Sequence, residues 1–288
     1  DDAMRKILFR ILAVETVLLA SVALLQHFAL LPIPAPWQTL LRATSIYPYP
    51  NAFGLCAAPL GIFFLTFALD ESTQQNDRLL FGLAFAFALA GSIATQTLSA
   101  VFLLILLALP LYWRHGAQGK TAVILALFFG CIALFIEPLR MLLFDKIFLH
   151  TWSGVVRQSM WRETWQMLQD HVLLGVGIGG YPVALAPYHT AKGIEIFQYP
   201  HNEFLTAWSE LGLLGLIAWI GLLATSLKES VARFSSSPLA RAGGMALLLL
   251  AIQGLVDVPY FKNDLSVLFW LIVALPDIGL RLNQNPPL

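Results

Sequence analysis

Apolar positions along this chain come in long unbroken runs, not in alternation. Eight runs approach the roughly 20 residues a helix needs to cross a bilayer. They cover 7–31, 52–69, 79–95, 98–113, 121–137, 203–227, 242–256 and 265–280. Continuous runs predict helices, because barrel strands would alternate apolar and polar positions. The first run is too long for a signal peptide core, and no small-residue cleavage site follows it. It is therefore read as a span. One polar interruption, 138–202, is some 65 residues long, and every other connection is short. Pro32–Asn51 is the second such segment worth reading. The pattern predicts an all-α, polytopic membrane helix bundle of about eight spans. Residues 1–137 would form an N-terminal bundle of about five spans, 138–202 a long loop, and 203–288 a C-terminal bundle of about three.

Composition agrees. Hydrophobic residues make up 58% and charged residues 12%, with a mean hydropathy of +0.74. A soluble domain holds about 25% charged residues; this chain lacks the polar surface to cover a globule. Disorder, collagen and a disulfide scaffold are excluded. Lys+Arg and Asp+Glu both number 17, so no basic excess exists to hold the phosphates of a nucleic acid. Cys56 and Cys131 both sit inside apolar runs and say little about redox compartment. With the N-terminus in the cytoplasm, the inside segments hold ten Lys and Arg. The outside segments hold seven, Lys262 among them, in about twice the loop length. The positive-inside rule then places 138–202 outside.

That loop carries the chemistry. An amphipathic helix is expected at about Arg157–Gln169, with Arg157, Trp161, Trp165 and Leu168 on one face. Such a face suits a helix lying at the membrane interface. Leu173-Leu174-Gly175-Val176-Gly177-Ile178-Gly179-Gly180 follows. Its glycines allow tight turns or an anion cradle. It is no dinucleotide fingerprint, because it follows a helix and not a strand. Then comes Tyr199-Pro200-His201-Asn202-Glu203-Phe204-Leu205, running into Glu210-Leu211-Gly212. Asn202 or His201 can cap the next helix. Glu203 and Glu210 are seven residues apart and share a helical face. Glu210 would lie roughly 10 Å below the helix start, where a carboxylate usually faces an interior cavity.

These stretches resemble the O-antigen ligase family of bacterial envelope membrane proteins. Arg157-Gln-Ser-Met-Trp161 with Leu174-Gly-Val-Gly177 is similar to its R-x-x-x-W and L-x-G-x-G run. His201-Asn202-Glu203-Phe204-Leu205 with Glu210-Leu-Gly212 and Gly215 is similar to its H-N-x-x-L…E-x-G-x-x-G signature. Arg42-Ala-Thr44 with Pro50-Asn51-Ala-Phe53 is similar to its R-x-T…P-N-x-F segment. Two positions depart from the pattern: Val172 stands where a proline is usual and Ser45 where a glycine is. The family usually has further spans before the first one here, which fits a fragment or a truncated member.

The resemblance implies transfer of a polyprenyl-diphosphate-linked glycan, with undecaprenyl diphosphate as carrier, to an acceptor hydroxyl on the periplasmic face of the bacterial inner membrane. The acceptor would be lipid A–core, another glycan or a protein. The residues fit that chemistry. Arg42 and Arg157 offer bidentate forks for a diphosphate. His201 suits a general base for the hydroxyl. Asn202, Glu203 and Glu210 are the remaining substrate-binding candidates. No D-x-D lies outside and Asp70-Glu71 would face the cytoplasm, so neither a metal nor another cofactor is expected. Arg162 points off the Arg157 face, and Arg140 and Lys146 mark the membrane surface. His150, His171 and His189 read as ordinary loop residues. Glu15 and Asp257 stand out as polar residues near apolar spans. Two alternatives stay open: a polymerase sharing the donor, and a transporter, which should show broken helices in paired halves.

Overall fold

The computed structural model describes residues 2–259 and 263–284; Lys262 lies outside them. Every regular element among the described residues is helical, with no strand. The helices are α1 (Asp2–His27), α2 (Pro50–Ala68), α3 (Gln75–Ala94), α4 (Leu98–Arg114), α5 (Gly116–Phe135), α6 (Glu137–Ile147), α7 (Trp152–Asp170), α8 (Tyr181–Leu185), α9 (Glu203–Ala232), α10 (Pro238–Gln253) and α11 (Asn263–Gln284). Five of them, α1, α2, α3, α5 and α9, are long and apolar enough to cross a membrane. Helices α4 and α10 and the stretch Leu265–Leu275 are apolar but shorter. The expected eight apolar runs thus correspond to five helices of spanning length and three short ones. This is a multi-pass membrane protein.

The chain divides into two compact units. One comprises residues 1–119, 226–253 and 261–288, and the other comprises 120–225 and 254–260. In the first, α2 is the hub and packs on α1, α3, α4 and α10. Small residues allow the approach. A side chain at Gly54 would strike Thr97, at Gly61 Ala88, and at Gly91 Phe53. Close backbone approach is the main source of helix association where lipid removes the hydrophobic drive. Ion pairs close one end of this unit: Arg10 with Asp77 (2.7 Å) and Arg241 with Asp70 (2.5 Å). Buried Gln26 organises residues 32–45 by accepting from the Thr44 and Ser45 amides and donating to the Pro32 and Ser45 carbonyls.

In the second unit the loop is ordered and helical. Helix α7 begins at Trp152, five residues before the expected start. Its Met167 and Leu168 form a small core with Tyr181 and Leu185. A second tie comes from Glu163, which is only 2% exposed. It accepts hydrogen bonds from the Thr190 and Ala191 amides and meets His189 Nδ1 at 2.9 Å. His189 is thus more than an ordinary loop residue: its ring pins the chain at 189–194 to α7, with Nε2 on the Ile194 carbonyl.

The run 203–227, expected as one helix, is broken. Gly212 has φ 73° and ψ −175°, which no helix permits. Glu203 and Trp219 lie sixteen residues apart, about 24 Å along a straight helix. The non-helical backbone at Gly212 divides α9 into two halves between these residues.

Candidate functional site

The second unit gathers several of the predicted residues around one short segment, 254–257, which follows α10. Four consecutive residues there accept hydrogen bonds. The Glu203 amide donates to the Gly254 carbonyl (2.7 Å), and Asn202 Nδ2 donates to the Leu255 carbonyl (2.9 Å). Arg157 Nε donates to the Val256 carbonyl, and Arg157 Nη2 donates to Asp257 Oδ2 (3.3 Å). The other Asp257 oxygen, Oδ1, faces His201 Nδ1 at 3.2 Å and accepts from the Val258 amide. Asp257 therefore joins His201 to Arg157, one carboxylate oxygen to each.

The R-x-x-x-W pair supports both ends of this arrangement. One helical turn separates Arg157 from Trp161 on α7. Arg157 grips 256–257, while Trp161 Nε1 donates to the Pro200 carbonyl (2.8 Å), next to His201. The face expected to lie at the membrane interface also makes protein contacts, with Trp165 half exposed. Trp165 meets Trp208 edge-on at 5.6 Å, and Leu168 is buried. A tryptophan and arginine face serves either surface, and the segments 199–209 and 254–257 supply the partners that spacing alone could not reveal.

His201 itself adopts φ 49°, the left-handed region. Histidine is among the residues that tolerate it, and the neighbours hold it there. Asn202 Oδ1 accepts from the Leu205 amide (2.9 Å) and so caps α9. The Phe197 and Tyr199 rings each meet the imidazole edge-on at 5.1 Å. Burial works against the Asp257 carboxylate, but the hydrogen bond from His201 and the charges of His201 and Arg157 outweigh it. The carboxyl is held below its ordinary range. Burial, reinforced by Asp257 and opposed by Arg157, pushes the Tyr199 hydroxyl up to about 12, so it stays a neutral donor.

Residues 79–220, just under half of the chain, match the family model described as O-antigen ligase. Over those residues the chain is similar to the O-antigen ligase family. No curated protein matches the chain. Within the family's residues fall Arg157, Trp161, His201, Asn202, Glu203 and Glu210; Arg42 and Asp257 lie outside them.

The remaining O-antigen ligase candidates are placed as follows. Glu203 is buried, facing Trp219. Glu210 Oε1 accepts from the Gly179 amide (3.0 Å); it ties down the glycine-rich turn where an interior cavity was expected to receive it. Arg42 belongs to the first unit. There its guanidinium donates to the Thr95 carbonyl at the end of α3 and to Asn51 Oδ1 (3.1 Å), and it stacks on Trp37. That contact links the two halves of the R-x-T…P-N-x-F segment. Asp257 was legible only as an isolated acid beside an apolar span, because its partners are 56 and 100 residues away. Among the described residues no three His, Cys, Asp or Glu side chains cluster as metal ligands.

Proposed function

We propose that this chain transfers a glycan from a polyprenyl diphosphate to an acceptor hydroxyl at the periplasmic face of the bacterial inner membrane. The observation that carries the reading is the link from His201 through Asp257 to Arg157. In the neutral imidazole, a carboxylate at Nδ1 keeps the proton there and leaves Nε2 basic. The acceptor oxygen attacks the anomeric carbon, its proton passes to Nε2, and the bond from carbon to the diphosphate oxygen breaks. Asp257 then faces an imidazolium, whose charge it stabilises. Polyprenyl diphosphate departs with its negative charge, and cations must meet it. Arg157 commits three of its five N–H groups to protein oxygens, which leaves two for phosphate. Arg42 is the second cation of the reading. No step needs a metal or another cofactor. Lipid A–core, a glycan or a protein could supply the hydroxyl, and a growing repeat unit as acceptor would make the same site a polymerase.

The decisive experiment compares His201→Ala and His201→Gln in purified protein given lipid-linked glycan. A general base contributes about 10²–10⁴-fold, so both variants should lose transfer by that order while still binding donor. Glutamine can donate or accept a hydrogen bond but cannot take the proton. Near-normal transfer by His201→Gln would remove the base from His201 and make Glu203 the next residue to test.

A further inference from the structure

The glycine-rich turn is anchored to the broken helix backbone to backbone. The break at Gly212 leaves helix groups without intrahelical partners, and the turn fills them. The Val176 amide donates to the Ser209 carbonyl (2.6 Å), and the Leu213 amide donates to the Val172 and Leu173 carbonyls (3.2 Å each). Trp208 Nε1 donates to the Val172 carbonyl, and Glu210 holds the Gly179 amide. No side chain fits between the strands of this contact. A Cβ at Gly175 would sit 2.4 Å from the Ser209 carbonyl oxygen, and one at Gly212 would sit 2.1 Å from that of Leu173.

While its backbone is held, the turn projects its apolar side chains away from the protein. Leu174 is 87% exposed and Ile178 83%, and Leu173 and Val183 are also largely exposed. They border the outward surface of the second half of α9, where Leu214, Ile217 and Ile220 are exposed on a helix of spanning length. In water, side chains of this size would each forgo about 1.5–3 kcal/mol of burial. Irregular backbone is tolerated at membrane depth where protein satisfies its polar groups, and here α9 meets the Val176 and Gly179 amides and the Val172 and Leu173 carbonyls. The Trp165–Trp208 pair at the base of the turn is of the type that favours the headgroup level.

We infer that residues 172–183 form a re-entrant turn whose Leu173, Leu174, Ile178 and Val183 side chains are immersed in lipid hydrocarbon, continuous with the lipid-facing surface of α9. The occupant of this face is the acyl region of the leaflet at that end of α9. The turn thereby fixes the depth of the helix that begins beside His201. It accounts for the apolar residues between the glycines, which an anion cradle would not require.

The test needs no activity. In full-length protein with Cys56 and Cys131 replaced by alanine and reconstituted into phosphatidylcholine vesicles, single cysteines at Leu174, Ile178 and Lys192 carry an environment-sensitive fluorophore. Both apolar positions are exposed, so labelling removes no packing. The inference expects blue-shifted emission at 174 and 178, strong quenching by nitroxide on lipid chains, and little by aqueous iodide. Lys192, exposed in the same loop, should show the reverse. Iodide quenching at 174 and 178 equal to that at 192 overturns the inference. So does protection from both quenchers, which would mean that protein covers the turn.

Discussion

At the scale of single residues, Asp257 concentrates the most interactions. It is nearly buried, and each oxygen serves a different cation or cation-to-be. Removing one partner of a buried pair costs about 3–5 kcal/mol, because the other charge is left uncompensated. Asp257→Ala should therefore lower thermal stability in detergent by that order. Asp257→Asn keeps the shape and loses the charge. We expect it to cut transfer by about 10²–10⁴-fold, as loss of the base itself would, with donor binding reduced far less. The pH dependence follows from the lowered carboxyl. A depressed acid contributes stability that is complete above its unfolded value of about 3.9 and is lost as pH falls through the folded value. The melting gap between wild type and Asp257→Asn should hold across the neutral range and close only in strong acid. A gap already closing near neutrality would point to another group.

At the scale of elements, the interlock between the turn and α9 separates glycines that share a conformation but not a neighbour. Gly175 and Gly212 have positive φ and backbone within 2.4 Å of any added Cβ. Gly177 and Gly179 have positive φ and open space. All four substitutions to alanine place a Cβ on positive-φ backbone, at a cost of about 1–3 kcal/mol. Only the first two also push the turn off the helix. Limited proteolysis of the 172–183 segment should accelerate markedly in Gly175→Ala and Gly212→Ala, and only slightly in Gly177→Ala and Gly179→Ala. The loop's second tie carries a pH sign. Glu163, despite its burial, raises His189 above its ordinary value of 6.5. A raised histidine contributes fully below the unfolded value and loses its contribution as pH rises through the folded one. Hydrogen exchange at 189–194 should thus quicken as pH rises above about 6.5, beyond the intrinsic base-catalysed increase, and Glu163→Gln should abolish the excess.

These elements also mark how far the chain could be read without coordinates. Periodicity gave α7 its face, since Arg157, Trp161, Trp165 and Leu168 recur at helical spacing. It could not say whether lipid or protein met that face, because the partners at 200, 208 and 256–257 are remote in sequence. The break at Gly212 was hidden because an apolar run with one glycine reads as a helix, and only the complementary backbone of 172–176 stabilises the break. The Glu163 tie was hidden for a related reason. Two of its donors are the Thr190 and Ala191 backbone amides, which leave no residue signature.

At the scale of the whole molecule, the open quantity is the side of the membrane on which His201 faces. The orientation rests on the distribution of Lys and Arg, and the first unit adds an argument of its own. Helices α1, α2, α3, α4 and α10 place the residues assigned to the cytoplasm at one end. Arg10 pairs with Asp77 there, Arg241 with Asp70, and Arg114 and Arg241 both lie over Phe234. The opposite end of the same unit holds Arg42 on Thr95 and Asn51. Basic residues drawn from three helices, α1, α4 and α10, thus lie at one end, as a single membrane side requires. We therefore expect Lys192→Cys, in a background without Cys56 and Cys131, to react with an impermeant thiol reagent in intact spheroplasts. A cysteine at Ser72, in the short α2–α3 connection among the cations assigned to the cytoplasm, should react only after lysis. The paired design removes ambiguity, because a poorly inserted protein would label at both positions or at neither. Labelling at Ser72 and protection at Lys192 in intact cells would invert the topology. It would also place His201 on the face opposite to the acceptor, ending the proposed reaction along with the orientation.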